Sequence, residues 1–198
     1  MVDLNEAYLV LPVDWYRLYD ANGKTWTTLS IRVILEDLKR VYIDVTVDLA
    51  KNQKKLERIQ AHLDKKTHEF TPFLSLRCII ANKKSQDGTT RTSVKTSINN
   101  IDIIETEPKS FVDKQNIVIL SGKVHQVKND LMILTSSYRD IKNNKYLNRY
   151  ITIGSKGVAD QISQNDRIYC LGRVSTATNN GKDTLFIRVN PEHLRRVI

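Results

Sequence analysis

Thirteen residues in the C-terminal half combine flat aromatic side chains with positive charge. The stretch Tyr138–Tyr150 reads Y-R-D-I-K-N-N-K-Y-L-N-R-Y, with three tyrosines, two arginines and two lysines against one acid. A tyrosine ring offers a stacking face to any nucleobase, and cations attract phosphates. This combination favours binding of single-stranded nucleic acid. The candidate contacts in the stretch are Tyr138, Arg139, Lys142, Lys145, Tyr146, Arg149 and Tyr150.

Other candidate contacts follow glycines or lie on turns. Lys123 and Arg173 each follow a glycine late in a predicted strand, where a bend or a close approach of another backbone is expected. Lys156 begins a predicted helix, and Lys182 lies in the turn N-N-G-K-D. Arg188 lies in the predicted strand after this turn, at a position that alternates to the outside. In the N-terminal half, the comparable candidates are Trp26, Tyr42, Lys83, Lys84 and Arg91.

A purely structural role is open for several of these side chains. Tyrosines also cap the ends of strands, and Tyr150 adjoins the apolar run Ile151–Ile153. Lys123 and Arg173 could equally be solvent-facing cations. Trp15 and Trp26 could both be core residues, and we expect Trp15 to be one.

The elements that must position these residues are strands with one helix among them. In the C-terminal half, apolar and polar residues alternate, as in half-buried strands. Strand, strand, strand, helix, strand, strand is the layout of the five-stranded OB-fold barrel. The predicted strands cover 117–127, 131–139, 146–153, 167–177 and 184–190, with a helix near 156–163 and one helical turn from Pro191.

The N-terminal half repeats this order, which indicates a duplication. Its helix is predicted at 49–66 with Asp48 as N-cap, because leucines and isoleucines recur there at helical spacing. The exposed lysines of that helix are interpreted as a solvated surface. The acidic, proline-containing stretch E-T-E-P-K-S separates the halves. We therefore predict a mainly β chain of two tandem OB-fold barrels, residues 1–108 and 109–198.

Charge is distributed unevenly between the halves. Residues 1–110 carry 17 Lys and Arg against 15 Asp and Glu, a net of +2, whereas residues 111–198 carry 14 against 7, a net of +7. A basic half beside a nearly neutral one indicates an anionic partner. Nucleic acid fits better than a membrane, since no amphipathic basic helix occurs there and no apolar run reaches the length of a membrane span.

The residue patterns also argue against an enzyme. The sequence holds no phosphate-cradling glycine loop, nucleophile elbow or paired-acid metal motif, and its four histidines have no zinc spacing. We expect no catalytic residue, no metal and no cofactor. Cys78 and Cys170 lie in separate apolar runs and are predicted to be small buried hydrophobes. The N-terminus lacks a basic region of the secretory type, so we expect a cytoplasmic protein.

Two motifs resemble bacterial-type single-stranded DNA-binding proteins. N-I-V-I-L-S-G-K-V is similar to the first strand of that family, and G-S-K-G-V-A-D-Q-I-S-Q-N-D-R-I-Y-C-L-G-R-V is similar to its helix and the following Gly-Arg strand. The resemblance covers about 116–189. It implies an OB-fold in which Lys123 and Arg173 line the nucleic-acid groove and Lys156 lies near it.

The sequence also departs from that family. The tryptophans expected before the helix and in the last hairpin have no counterpart, and the acidic tail ending in phenylalanine is missing. The expected function is therefore a non-enzymatic, sequence-tolerant single-stranded DNA binder of a phage or mobile element, acting in replication, recombination or transfer. An OB-fold protein-interaction scaffold in a DNA replication or transfer complex and an RNA-binding OB-fold protein remain alternatives. Replication or recombination proteins are possible partners, and the oligomeric state is open.

Overall fold

The structure is a computed structural model that describes residues 3–84, 88–106, 115–140, 143–179 and 182–197, without the side chains of Asn179 and Lys182. Eleven strands and one α-helix account for most of these residues. They are β1 (Asn5–Leu18), β2 (Trp26–Ile34), β3 (Arg40–Asp48), α1 (Leu49–Leu63), β4 (Phe73–Lys84), β5 (Thr90–Ser97), β6 (Ile101–Ile104), β7 (Gln115–Lys128), β8 (Leu131–Asp140), β9 (Lys145–Gly154), β10 (Arg167–Asn179) and β11 (Lys182–Val197).

The chain divides into two compact units. The N-terminal unit comprises Ala7–Ile79 and Val94–Asn116, and the C-terminal unit comprises Met1–Glu6, Ile80–Ser93 and Ile117–Ile198. The end of the β4–β5 hairpin thus belongs to the C-terminal unit. The predicted domain boundary after residue 108 lies outside the described residues and stays a prediction.

The two units share one scheme of strand pairing. In the N-terminal unit, β1 pairs with β2 and β4, β2 pairs with β3, and β3 pairs in parallel with β5, which neighbours β4. In the C-terminal unit, β7 pairs with β8 and β10, β8 with β9, β9 in parallel with β11, and β11 with β10. Each set of five strands closes on itself, as in the OB-fold. The predicted mainly β, OB-fold class is confirmed.

Strict alternation of buried and exposed residues builds the core of each barrel. Along β3, Val41, Ile43 and Val45 are buried while Tyr42 is exposed. In α1, Leu56, Ile59 and Leu63 form the buried face, as predicted from their spacing. Asp48 precedes this helix but makes no side-chain capping hydrogen bond, so only its position was predicted correctly.

The first strand of each barrel contains a β-bulge at the corresponding point. In β1, the register shifts between Val13 and Trp15, and in β7 it shifts between Val124 and Gln126. A bulge inserts one extra residue into the strand and reverses which face the following side chains occupy. The shared position of the two irregularities supports the duplication.

Two predicted helical segments are wrong. The helix expected near 156–163 is a single 3₁₀ turn at Val158–Asp160, because Gly157 before it adopts a left-handed backbone with φ +66° and the chain enters a second turn at 164–165, where Asn165 has φ +77°. The helical turn expected from Pro191 is instead the end of β11. Leu194 is buried opposite Cys170, and the register shifts so that four residues of β11 between Val189 and Leu194 face one residue of β10 between Cys170 and Gly172.

The predictions for the two cysteines and for the strand glycines are confirmed. Cys78 and Cys170 are free and buried, and burial raises the pKa of each thiol to about 12. A Cβ on Gly172 would lie 2.6 Å from the carbonyl oxygen of Arg188, and one on Gly122 would overlap the carbonyl oxygen of Thr135. These are the close backbone approaches that the strand glycines predicted. Within the described residues, no helix is long and apolar enough to cross a membrane.

Candidate nucleic-acid interface

The outer surface of β7, β8 and β9 in the C-terminal unit, hereafter the outer face, collects many of the candidate contacts. Ile151 and Ile153 point into the barrel, so Tyr146 and Tyr150 point out of it. Both tyrosines are exposed, Tyr146 by 62%. They lie four residues apart on one strand, or about 13 Å.

Positive side chains lie beside these tyrosines because of the strand register. Lys123, Thr135 and Tyr150 stand in one row across β7, β8 and β9, and Arg167 of β10 extends the row beyond Lys123. The ring of His125 contacts that of Tyr150 edge to face, with centroids 5.3 Å apart. This row places two cations and an exposed aromatic ring on one surface.

A second group lies nearer the tip of the β8–β9 hairpin. Arg139 stands directly opposite Tyr146, and its Nη2 donates a 2.6 Å hydrogen bond to Oδ1 of Asn144. This bond holds one N–H group of the guanidinium against the hairpin tip. Arg139 and Tyr146 therefore repeat the pairing of a cation with an exposed ring.

Three candidates lie on the opposite side of the β8–β9 hairpin. The guanidinium carbon of Arg149 lies 3.6 Å from the ring centroid of Tyr138, so the guanidinium of Arg149 covers the tyrosine ring. Burial lowers the pKa of Arg149 from its ordinary value, and the electrostatic interaction with Tyr138 opposes the effect. Lys145 alternates to the same side as Arg149. The thirteen-residue stretch is therefore divided between two surfaces, which its sequence did not indicate.

The end of the β4–β5 hairpin lies against the edge of β9 within the same unit. The side chain of Asn82 bonds to both backbone groups of Tyr150, donating to the oxygen at 2.6 Å and accepting from the nitrogen at 2.8 Å. The amide of Thr152 donates to Oγ1 of Thr92 at 3.2 Å. These contacts bring the hairpin beside the outer face, and with it the three cations that the sequence had grouped with the N-terminal half: Lys83, Lys84 and Arg91.

The other end of the outer face holds a further group of cations. Leu131, Gly154 and Arg188 stand in one row, and Arg173 lies opposite Arg188 on β10. Lys156 and Arg188 line a cavity of about 430 Å³ next to Gly154. Lys142 and the side chain of Lys182 lie outside the described residues.

The N-terminal unit presents an aromatic group on the corresponding strands. Trp15, Arg32 and Tyr42 stand in one row across β1, β2 and β3. The rings of Trp15 and Tyr42 meet edge to face with centroids 5.9 Å apart, and the guanidinium of Arg32 lies 5.9 Å from the Trp15 ring. Trp26 is 56% exposed at the start of β2.

A buried carboxylate organises the cations of this row. Asp14, at the bulge of β1, accepts hydrogen bonds from Nε of Arg32 at 2.7 Å and of Arg40 at 2.9 Å. Burial raises the pKa of Asp14, but the bonds to the two arginines and their charges outweigh it, so that the pKa is below its ordinary value of 3.8. Asp14 thus neutralises part of the positive charge of this surface.

Sequence reasoning missed three residues of these surfaces. Trp15 was expected in the core, but it is 38% exposed because the bulge reverses its side of the strand. Arg167 alternates with the buried Ile168 and Cys170, a pattern that could have identified it as outward-facing. Its guanidinium also bonds to Asp3. Phe186 lines the cavity next to Gly154, which only the register of β9 and β11 reveals.

No family model and no curated protein matches the sequence. A solved structure, the single-stranded DNA binding protein from Thermus aquaticus, aligns over 100% of this chain and 95% of its own, with a TM-score of 0.63 and 12% identity. A deletion mutant of that protein aligns over 100% of this chain and 96% of its own, with a TM-score of 0.60 and 12% identity. At this identity the likeness shows the fold, and the chain shares the mainly β OB-fold class with those structures.

Proposed function

We propose that the protein binds single-stranded DNA without sequence preference and performs no catalysis. The observation that carries this proposal is the outer face, where Tyr146 and Tyr150 are exposed beside Arg139 and Lys123. Stacking on an aromatic ring and attraction of phosphates are the two interactions a sequence-tolerant binder needs. The shared fold of the Thermus aquaticus protein supports the same conclusion.

The biological setting is part of the proposal. A sequence-tolerant binder would protect or organise single strands during replication, recombination or transfer, and we assign the protein to a phage or mobile element. This rests on the resemblance of the motifs at 116–124 and 154–174 and on the arrangement of two similar units in one chain.

The decisive experiment measures binding of oligo-dT as a function of salt concentration. Each phosphate neutralised on a single strand contributes a slope of about −0.7 to the dependence of log K on log salt. Replacing Lys123 and Arg139 with alanine should therefore weaken binding and reduce the slope by about 1.4. Undetectable binding at low ionic strength, or binding independent of salt, would refute the proposal.

A matched control removes the same two residue types elsewhere. Lys54 and Arg58 are exposed on α1, and their double alanine variant loses the same charge. We expect this control to retain most of the affinity and slope. Equal losses in both variants would show that total charge, rather than the outer face, governs binding. Oligo-U of the same length tests RNA, since only RNA offers a 2′-hydroxyl.

A further inference from the structure

The cavity at the end of the outer face has an apolar floor made possible by a glycine. A Cβ on Gly154 would lie 2.8 Å from Cε2 of Phe186 and 3.6 Å from Cδ2 of Leu131. The phenylalanine ring therefore occupies space that any larger residue at position 154 would fill. Leu131 is 52% exposed beside it. The result is a partly open apolar surface of the size of an aromatic ring.

Cations surround this floor. Arg188 lies in the row of Leu131 and Gly154, its guanidinium is 5.9 Å from the ring of Phe186, and Lys156 lines the same cavity. Among the described residues, neither Arg188 nor Lys156 forms a salt bridge. The rim also contains Asp130, but one of its carboxylate oxygens accepts a 2.8 Å hydrogen bond from the amide of Gly157.

Positive charge continues beyond the rim onto β10. Arg173 is the direct cross-strand partner of Arg188, and both are exposed. Cations grouped on neighbouring strands attract anions, so this end of the outer face favours an anionic ligand.

We propose that this cavity binds one nucleotide, with its base on the ring of Phe186 and its phosphate between Arg188 and Lys156. A bare anion would leave the apolar floor unused, and an apolar peptide would leave the cations unused. A nucleoside monophosphate satisfies both. The cavity has a volume of about 430 Å³, which is large enough for a single nucleotide but not for several stacked nucleotides.

The position of the cavity connects it to the proposed function, on which this inference rests. Gly154 lies on the same strand and side as Tyr150, four residues further along, or about 13 Å. Tyr146, Tyr150 and the Phe186 cavity thus follow one another along β9 at similar intervals. A strand stacked on the two tyrosines would deliver one nucleotide, internal or terminal, into the cavity.

The experiment uses fluorine NMR of protein labelled with 4-fluorophenylalanine. The chain has four phenylalanines, and the variant Phe186→Leu identifies the resonance of Phe186 while retaining an apolar side chain. Titration with dTMP should shift this resonance in the millimolar range. Thymidine and inorganic phosphate, each carrying half of the ligand, should bind at least tenfold more weakly. No shift with dTMP, or equal shifts with dTMP and inorganic phosphate, would overturn the proposal.

Two variants separate this site from the rest of the outer face. Lys156→Gln with Arg188→Gln should weaken dTMP binding at least tenfold, whereas Lys123→Ala with Arg139→Ala should leave it unchanged. The first variant's resonances in the absence of ligand verify its fold. Equal dTMP affinity in the Lys156–Arg188 variant and the original protein would exclude the assigned phosphate contacts.

Oligo-dT distinguishes failure of this inference from failure of the proposed function. If oligo-dT binds with salt dependence but the Phe186 resonance does not respond, the cavity proposal is wrong and the proposed function stands. If dTMP shifts the resonance but no oligonucleotide binds, the cavity is supported as a nucleotide site and the proposed function is wrong. A circular single strand that shifts the resonance supports an internal nucleotide, whereas a shift with linear strands alone supports a terminal one.

Discussion

Stacking on a tyrosine requires a ring face that no other side chain covers. Tyr146 meets this condition, being exposed by 62%, whereas the ring of Tyr138 is covered by Arg149 at 3.6 Å. Both tyrosines have similar sequence surroundings, so the structure separates residues that the sequence treated alike. The cation–π contact of Tyr138 stabilises the hairpin rather than leaving a platform for a base.

We predict that Tyr146→Ala weakens oligo-dT binding by about 1–3 kcal/mol, the contribution of one stacked base, and that Tyr138→Ala has a smaller effect. Tyr138→Ala should instead lower stability, since it removes the partner of Arg149. Fluorescence anisotropy of labelled oligo-dT at fixed low salt measures the first effect, and urea unfolding measures the second. A larger binding loss for Tyr138 than for Tyr146 would contradict this assignment.

The carboxylate of Asp14 gives the N-terminal unit a pH-dependent contribution to stability. Its folded-state pKa is below the ordinary value of 3.8, because bonds from Arg32 and Arg40 outweigh burial. The unfolded chain therefore binds more protons below that value, and stability falls as the pH drops toward the folded pKa. Above the ordinary value, the contribution is fully present.

We expect Asp14→Asn to lower the free energy of unfolding by roughly 1.5–3 kcal/mol at neutral pH, the range for hydrogen bonds to charged groups. Below about pH 4, the original protein should lose stability with falling pH more steeply than the variant. Urea unfolding at a series of pH values measures both. Asp20→Asn is the control, since Asp20 is exposed in the turn after β1. Parallel pH profiles for Asp14→Asn and the original protein would contradict the prediction.

At the scale of elements, the glycines of the strands fix how closely strands approach. Gly122 of β7 is buried, and a Cβ there would overlap the carbonyl oxygen of Thr135 on the neighbouring strand. The obstacle is backbone, which cannot move without separating β7 from β8. Both strands carry residues of the outer face, so the packing of this glycine also positions the candidate interface.

We predict that Gly122→Ala lowers the free energy of unfolding by about 1–3 kcal/mol or more, as overpacking does in a close-packed interior. Gly88→Ala is the matched control, because a Cβ there would meet no heavy atom of the described residues within 4 Å beyond its chain neighbours, and its φ of +79° is the unfavourable feature. Thermal unfolding should show the larger decrease for Gly122→Ala. A larger loss of stability for Gly88→Ala than for Gly122→Ala would mean that β7 and β8 can move apart to accommodate the added methyl group.

Sequence periodicity predicted the strands well because each barrel strand has one buried side. Val41, Ile43 and Val45 alternate with polar residues in β3, and the prediction of a strand there is confirmed. Periodicity failed where an extra residue interrupts it. The bulge before Trp15 reverses the strand face, and no local residue preference marks its position.

The candidate interface was less predictable than the fold. The aromatic and basic residue types identified the β8–β9 region, but their division between two surfaces depends on register. Pairings between distant segments are still harder to read from sequence, such as those of Asn82 with Tyr150 and of Gly154 with Arg188. These contacts join residues separated by tens of positions, and only the closed barrel brings them together.

At the scale of the whole molecule, the two units differ in net charge and in tryptophan content. The C-terminal unit carries 16 Lys and Arg against 9 Asp and Glu, a net of +7, whereas the N-terminal unit carries 15 against 13, a net of +2. Both tryptophans, Trp15 and Trp26, belong to the N-terminal unit. A strand bound to the C-terminal unit alone would therefore be attracted more strongly and leave no tryptophan to report it.

This division predicts two classes of binding event for short oligo-dT, of a length within the roughly 4–16 nucleotides that one OB-fold accommodates. The first should raise the anisotropy of a labelled oligonucleotide without quenching tryptophan, and it should have the steeper salt dependence because the C-terminal unit carries more net charge. The second should quench tryptophan, since Trp15 and Trp26 are both substantially exposed.

Single variants Trp15→Phe and Trp26→Phe assign the quenching to one ring or the other. We expect Trp15→Phe to remove most of it, because Trp15 shares a row with Arg32 and Tyr42 while Trp26 stands at the start of its strand opposite Asp48. If tryptophan quenching rises together with the first change in anisotropy, the prediction that the C-terminal unit binds first is contradicted. It would then place the stronger site on the N-terminal unit, where Asp14 already neutralises part of the positive charge.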